Sequence, residues 1–279
     1  MAMRHRIGMA VLVGICMGAE PAMAQPLLLG GTQLAPENSY SYLGAIMPFA
    51  GGRLGSGWFG TVFSNYLTYN YNYDYGGLIS KLPPTLAQAI FKELGTTNPL
   101  ARVQVSAPGI QGGIGYAWQG SDYQLALSGA LGYQYFLVSI HTLGKTVSLD
   151  ETIPVSPTTP KQIYLSTGGP LGGTVTFTPQ VQAHYDFTPV LYVSTMASYS
   201  FGQRAYWSRF RGGIRPLSWL SFGPEGVLQG GVNYRIHQVG VFISVALGDG
   251  WSVEGEGGIN YTSGLPSTGY GGLSFAKVL

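Results

Sequence analysis

Charge is scarce in this chain. Lys, Arg, Asp and Glu make up 9% of its 279 residues, against roughly 25% in ordinary soluble domains, and a water-facing surface is hard to build from so little. The formal net charge is only +2, and no Lys/Arg-rich run with interleaved aromatics occurs, which sets nucleic-acid binding aside. The single cysteine, Cys16, excludes a disulfide framework and a thiolate metal site. His141, His184 and His237 are widely spaced with no carboxylates at metal-ligand intervals, and HExxH, P-loop and Gly-x-Ser-x-Gly patterns are all missing. No metal, cofactor or catalytic residue is therefore expected. The one arrangement that imitates an enzyme is His184 with Ser194 or Ser198 on a neighbouring strand and Asp186 behind the ring, and a polar histidine facing the interior is the better reading of His184.

Long apolar runs are also missing. The only extended one lies at the N-terminus, where Arg4, His5 and Arg6 precede the stretch from Ile7 to Ala19 and the sequence Ala22-Met23-Ala24 follows. That order reads as a signal peptide over residues 1–24, with a mature chain from Gln25. No later segment approaches the ~18–20 apolar residues of a membrane-spanning helix. A membrane location then requires a closed sheet, because every backbone N–H and C=O must find its partner inside the protein.

Alternation is what the chain has instead. In TVTFTPQVQAHYDF, Val175, Phe177, Pro179, Val181, Ala183, Tyr185 and Phe187 share one parity. Thr174, Thr176, Thr178, Gln180, Gln182, His184 and Asp186 share the other, and a period of two sends these sets to opposite faces of a strand. The segment from Asp122 to Leu137 and that from Val190 to Phe201 repeat the pattern. Short Gly, Asp or Pro turns separate the runs. Eleven strands are expected, near 39–48, 57–70, 102–118, 122–138, 174–187, 190–201, 204–215, 218–228, 232–247, 251–261 and 268–278. Bacterial single-chain barrels carry an even number, so a twelfth is expected between 144 and 168, with Gln162 to Thr167 as its best segment. The fold class is all-β: one antiparallel up-and-down transmembrane β-barrel of about twelve strands over residues 25–279, with inserts at 71–100 and 141–173. In the first insert PPTLAQAIFKELG predicts a short helix started by Pro83 and Pro84 and ended by Gly95.

The charges sharpen the reading. Arg209, Arg211 and Arg215 share a parity, and Glu254 and Glu256 lie opposite Trp251, Val253, Ile259 and Tyr261. An arginine on the lipid face near the midplane costs ~2–4 kcal/mol, so these residues are expected inside. The candidate luminal network is Arg209, Arg211, Arg215 and Arg235 offset by Glu225, Glu254 and Glu256. Aromatics, among them 19 Tyr and 5 Trp, have two readings. They form interfacial girdles, or the cluster Tyr66, Tyr69, Tyr71, Tyr73 and Tyr75 stacks on sugar rings.

The run AYWSRFRGGIRP, then FGPEG at 222–226, then NYRIHQVG and a closing Gly-rich hairpin resembles the BcsS family of bacterial cellulose-biosynthesis proteins. Tyr206, Ser208, Arg209, Gly223, Pro224, Glu225 and Arg235 occupy the shared positions. The resemblance extends more weakly through SYSYLGAIMPF and GGIGYAW and leaves the two inserts unmatched. It implies a non-enzymatic envelope protein of Gram-negative bacteria that assists export or organisation of the glucan. Outer-membrane lipid, cellulose and components of the cellulose synthase complex are the partners it implies, and the cell outer membrane the location. A general small-solute porin is the alternative, and an outer-membrane lipid hydrolase a weaker one.

Overall fold

The computed structural model describes residues 25–49, 53–74, 76–95, 97, 100–142, 172–231, 234–263 and 265–279. Twelve antiparallel strands close into a barrel: β1 Leu27–Ala35, β2 Asn38–Pro48, β3 Gly57–Asp74, β4 Leu100–Gln119, β5 Tyr123–Thr142, β6 Gly172–Asp186, β7 Leu191–Ser200, β8 Ala205–Leu217, β9 Leu220–Gly230, β10 Arg235–Gly248, β11 Trp251–Thr262 and β12 Thr268–Val278. Each pairs with its chain neighbours, and β1 closes on β12 with Leu27 opposite Val278. No edge is left unpaired, as lipid requires.

Two differences from the sequence reading concern β1 and the insert ends. The strand that completes the even number is β1, whereas the segment proposed for it, 144–168, lies outside the described residues, as does the signal peptide. β1 carries no clear alternation because its first half, Leu27 to Leu29, is apolar on both faces. Leu27 and Leu29 point inward into a cluster with Ile46 and Ala276, while Leu34 on the other parity is 58% exposed. The strands flanking the inserts are also longer than expected: β3 runs to Asp74, β4 starts at Leu100 and β5 reaches Thr142.

Between β3 and β4, α2 (Pro84–Leu94) forms as the proline and glycine signals predict, and a single helical turn they do not predict, α1 (Gly76–Ile79), precedes it. Gly95 ends α2 at φ 69°, and its N–H donates to the Lys92 carbonyl, a left-handed position that glycine takes without steric cost. Ile79, Ala87 and Ile90 bury one face of this pair.

The outside is apolar. Leu131, Val175, Val239, Val241 and Leu273 all stand exposed on the outward parity. Aromatics bracket the band on individual strands: Trp58 and Tyr66 on β3, Tyr123 and Tyr133 on β5, Trp251 and Tyr261 on β11, all exposed. Their spacing matches the ~9–11 residues of a membrane-crossing strand, and two girdles around an apolar belt are the outer surface of a transmembrane barrel. The alternation at Thr174–Phe187 is thereby resolved, since Val175, Phe177, Val181 and Tyr185 are exposed outside while Thr176, Thr178, Gln180 and Gln182 line the interior.

Candidate functional site

The lumen is organised by register. On β8 and β9, Arg211 stands directly opposite Glu225. The two-residue turn at 218–219 pairs Leu217 with Leu220, a register that would set Arg211 against Gly226 and turn Glu225 to lipid. A bulge between Ile214 and Leu217 removes that one-residue offset. Pro216 lies inside it, where a residue without an N–H is tolerated in a sheet.

Several charges gather around Arg211. Its Nε donates to Glu225, Nη1 lies 2.8 Å from Glu254 and Nη2 lies 3.0 Å from Glu256. Arg209 adds longer contacts of 3.8 Å to Glu256 and 3.9 Å to Glu225. Two arginines meet three glutamates, +2 against −3, and neutral groups take up the excess. Gln33 of β1 donates to Glu256 at 2.7 Å, and the Tyr270 hydroxyl of β12 donates to Glu225 at 3.4 Å. Gln238 continues the chain to Gln33 at 3.2 Å and Asn260 at 3.3 Å. The Arg211 guanidinium also lies over the Phe242 ring at 4.3 Å, where the ring's negative face favours a cation.

The structure separates two of the expected members from this network. Arg215 shares the inward parity but pairs with Asp186 at 3.5 Å and lies over Tyr192 at 4.8 Å. Arg235 begins β10 on the outward parity with His237 and Val239 and is exposed; strand alternation keeps it from Glu225, Glu254 and Glu256. Gln33, Gln238 and Tyr270 are the members the sequence concealed, since a neutral side chain on a distant strand leaves no charge pattern to follow.

Asp186 also meets His184, Nε2 to Oδ1 at 3.2 Å. His184 is opposite Ser194 on β7, so the register of the enzyme-like arrangement is real. Yet no hydrogen bond joins that pair among the described residues, Nδ1 of the buried ring has no partner, and the ring lies 5.0 Å from Tyr192. The link needed to activate a serine is not made.

The tyrosine cluster splits by parity. Tyr66 is outside and 46% exposed, part of the girdle, whereas Tyr69 and Tyr71 are buried inside. Tyr73 lies further along β3, with its side chain outside the described set, and Tyr75 is not described. Tyr69 stacks on Tyr71 at 6.1 Å and meets Tyr234 at 4.5 Å. Tyr234 comes from the β9–β10 turn, on the far side of the barrel from β3. With Phe136, Val103 and Val105 these rings close the insert end of the lumen. At the other end the turn at 53–56 tucks Leu54 against the cluster of Leu27, Leu29 and Ile46.

Between the two closures lies a chamber of about 290 Å³. One wall is aromatic, from Tyr42, Phe59 and Phe63. Phe63 stands opposite Gly44 and its ring occupies the space a Cβ there would need; Phe59 covers Gly115 likewise. Those glycines let the rings lie along the wall rather than fill the lumen. The facing wall is made of amides and hydroxyls from β4 to β7. Removing the Tyr69–Tyr234 closure with Tyr234→Ala is expected to raise single-channel conductance in planar bilayers well above the wild-type level. Equal conductance would show that current is limited elsewhere.

The fold and its polar interior define a protein of the transmembrane β-barrel class. Similar solved structures include the KdgM porin in complex with disordered oligogalacturonate, at a TM-score of 0.48 and 10% identity over 91% of this chain and 99% of that one. The NanC porin compares at 0.46 and 10% over 91% and 100%, and the transport unit of the autotransporter AIDA-I from Escherichia coli at 0.46 and 10% over 95% and 93%. Residues 167–279 match the family described as cellulose biosynthesis protein BcsS, and the segment includes AYWSRFRGGIRP and FGPEG, the runs that carry the resemblance in the sequence. No curated protein matches the chain.

Proposed function

We propose that this protein is a non-enzymatic outer-membrane accessory of bacterial cellulose biosynthesis that assists export or organisation of the glucan. The observation that carries the reading is the family match over residues 167–279; that segment supplies β8, β9 and β11, which hold the Arg209, Arg211, Glu225, Glu254 and Glu256 network. A signal peptide at residues 1–24 delivers the chain across the inner membrane, and the two girdles seat it in outer-membrane lipid. Components of the cellulose synthase complex are its protein partners.

A general small-solute porin is less well supported, because rings from opposite sides of the lumen meet at one mouth. An in-frame deletion strain tests the function directly, through extracellular and periplasmic cellulose measured separately. Extracellular polymer is expected to fall. Accumulation in the periplasm would assign a conduit role, and a fall without accumulation a role in assembling or activating the synthase. Unchanged extracellular cellulose would overturn the reading in favour of the porin.

A further inference from the structure

We infer that the luminal chamber is a binding site for a short segment of an uncharged glycan, with the glutamines of β4 to β6 as its hydrogen-bonding wall and the aromatic side chains of β2, β3 and β8 as its stacking surface. Gln111, Gln124, Gln180 and Gln182 on this wall, and Gln229 of β9 across from it, line the chamber and are only partly buried. None of their side chains has a hydrogen-bond partner among the described residues, in contrast to Gln33, Gln134 and Gln238. Each free amide offers two donors and an acceptor, a combination that matches sugar hydroxyls, which both give and accept.

The arrangement selects among ligands. Gln180 and Gln182 lie on one face of β6, with Ser128 and Ser198 paired to Gln180 on either side. The resulting strip of neutral polar groups faces Tyr42, Phe59 and Phe63, and Trp207 of β8 also borders the space. A β-linked pyranose with equatorial hydroxyls has apolar C–H faces and a polar rim, so one wall suits each surface. Acidic sugars find few free cations: Arg209 at the edge of the chamber is held by Glu225 and Glu256, and Glu256 itself borders the space. Arg53 in the turn at the short-loop end is the one further cation bordering the chamber among the described residues. At about 290 Å³ the chamber lies near the lower limit of ~300–1,000 Å³ typical of ligand pockets. It takes one or two sugar units of a single chain and no fibre or folded protein.

The choice of a β-1,4-glucan among neutral glycans rests on the function proposed above; the neutral-glycan specificity rests on the chamber alone. The test is calorimetric titration of the purified full-length barrel with cellotetraose, maltotetraose and tetragalacturonate. It is made on the wild type and on Tyr234→Ala, so that a closed mouth does not mask binding. Cellotetraose is expected to bind, and about tenfold more weakly in Gln180→Leu/Gln182→Leu, the loss expected for two hydrogen bonds to an uncharged ligand. Gln182→Leu alone serves if the double variant fails to fold. Binding of maltotetraose but not cellotetraose, with the same loss, would uphold the chamber while counting against the cellulose reading. No binding of either neutral sugar to either protein, a preference for tetragalacturonate, or unchanged affinity in the Leu variants would overturn the inference.

Discussion

Arg211→Leu is expected to lower the stability of the folded barrel by about 3–5 kcal/mol, the usual cost of removing one partner from a buried ion cluster. Arg211 is 3% exposed, and its guanidinium contacts Glu225, Glu254 and Glu256 together. Without it, three carboxylates share a narrow interior with Arg209, whose contacts are 3.8 Å and 3.9 Å. Urea titration in liposomes, followed by the mobility difference between folded and unfolded barrel on gels, measures the change. Arg211→Lys should fall in between, because a single ammonium keeps the charge but lacks the fork that engages separate carboxylates. Adding Glu225→Gln to Arg211→Leu should recover part of the loss, since the orphaned charge, rather than the missing contact, dominates the cost. Arg215→Leu should cost much less, because Arg215 is partly exposed and contacts one carboxylate at 3.5 Å. Wild-type stability in Arg211→Leu would mean that water penetrates the lumen well enough to screen these charges.

That network also marks how far the sequence could be read. Arg209, Arg211, Glu254 and Glu256 lie on the inward face that parity assigns them, because a period of two is a local property of each strand. Pairing is not local. Arg211 meets Glu225 only because of the bulge around Pro216, and an unbroken hairpin register would have put the two on opposite faces. Arg235 was legible as an exception, since its parity is that of Val239 and Val241 rather than of Gln238. Tyr66 likewise has even parity where Tyr69 and Tyr71 have odd, so the split between girdle and lumen was present in the numbering. β1 was not legible. Its inward residues Leu27 and Leu29 pack on Ile46 and Ala276, so the first half of the strand is apolar on both faces and its signal resembles any short buried segment. The chamber was hidden for a related reason: glutamines on different strands become a wall only after closure.

The second large effect is expected on the outside, with Val241→Arg. Val239 and Val241 are each 63% exposed, and Val241 stands near the middle of β10 with Gly257 of β11 and Pro224 of β9 as its neighbours. Neither neighbour is long enough to shield a guanidinium or to pair with it. An arginine at this depth costs ~2–4 kcal/mol on the lipid face, while near an interface the penalty falls to ~0–1 kcal/mol. The same depth dependence explains how Arg235 is accommodated on that face, since it is the first residue of the strand. Val241→Arg should therefore fold poorly into liposomes and unfold at lower urea, whereas Gln182→Arg, with its side chain in the chamber, should insert as the wild type does. If both variants inserted equally well, the apolar belt between the girdles would have to meet water or another protein instead of hydrocarbon. The exposed Leu131, Val175 and Leu273 would then belong to a protein contact surface, and the interior would lose its claim to be the protein's polar path across a membrane.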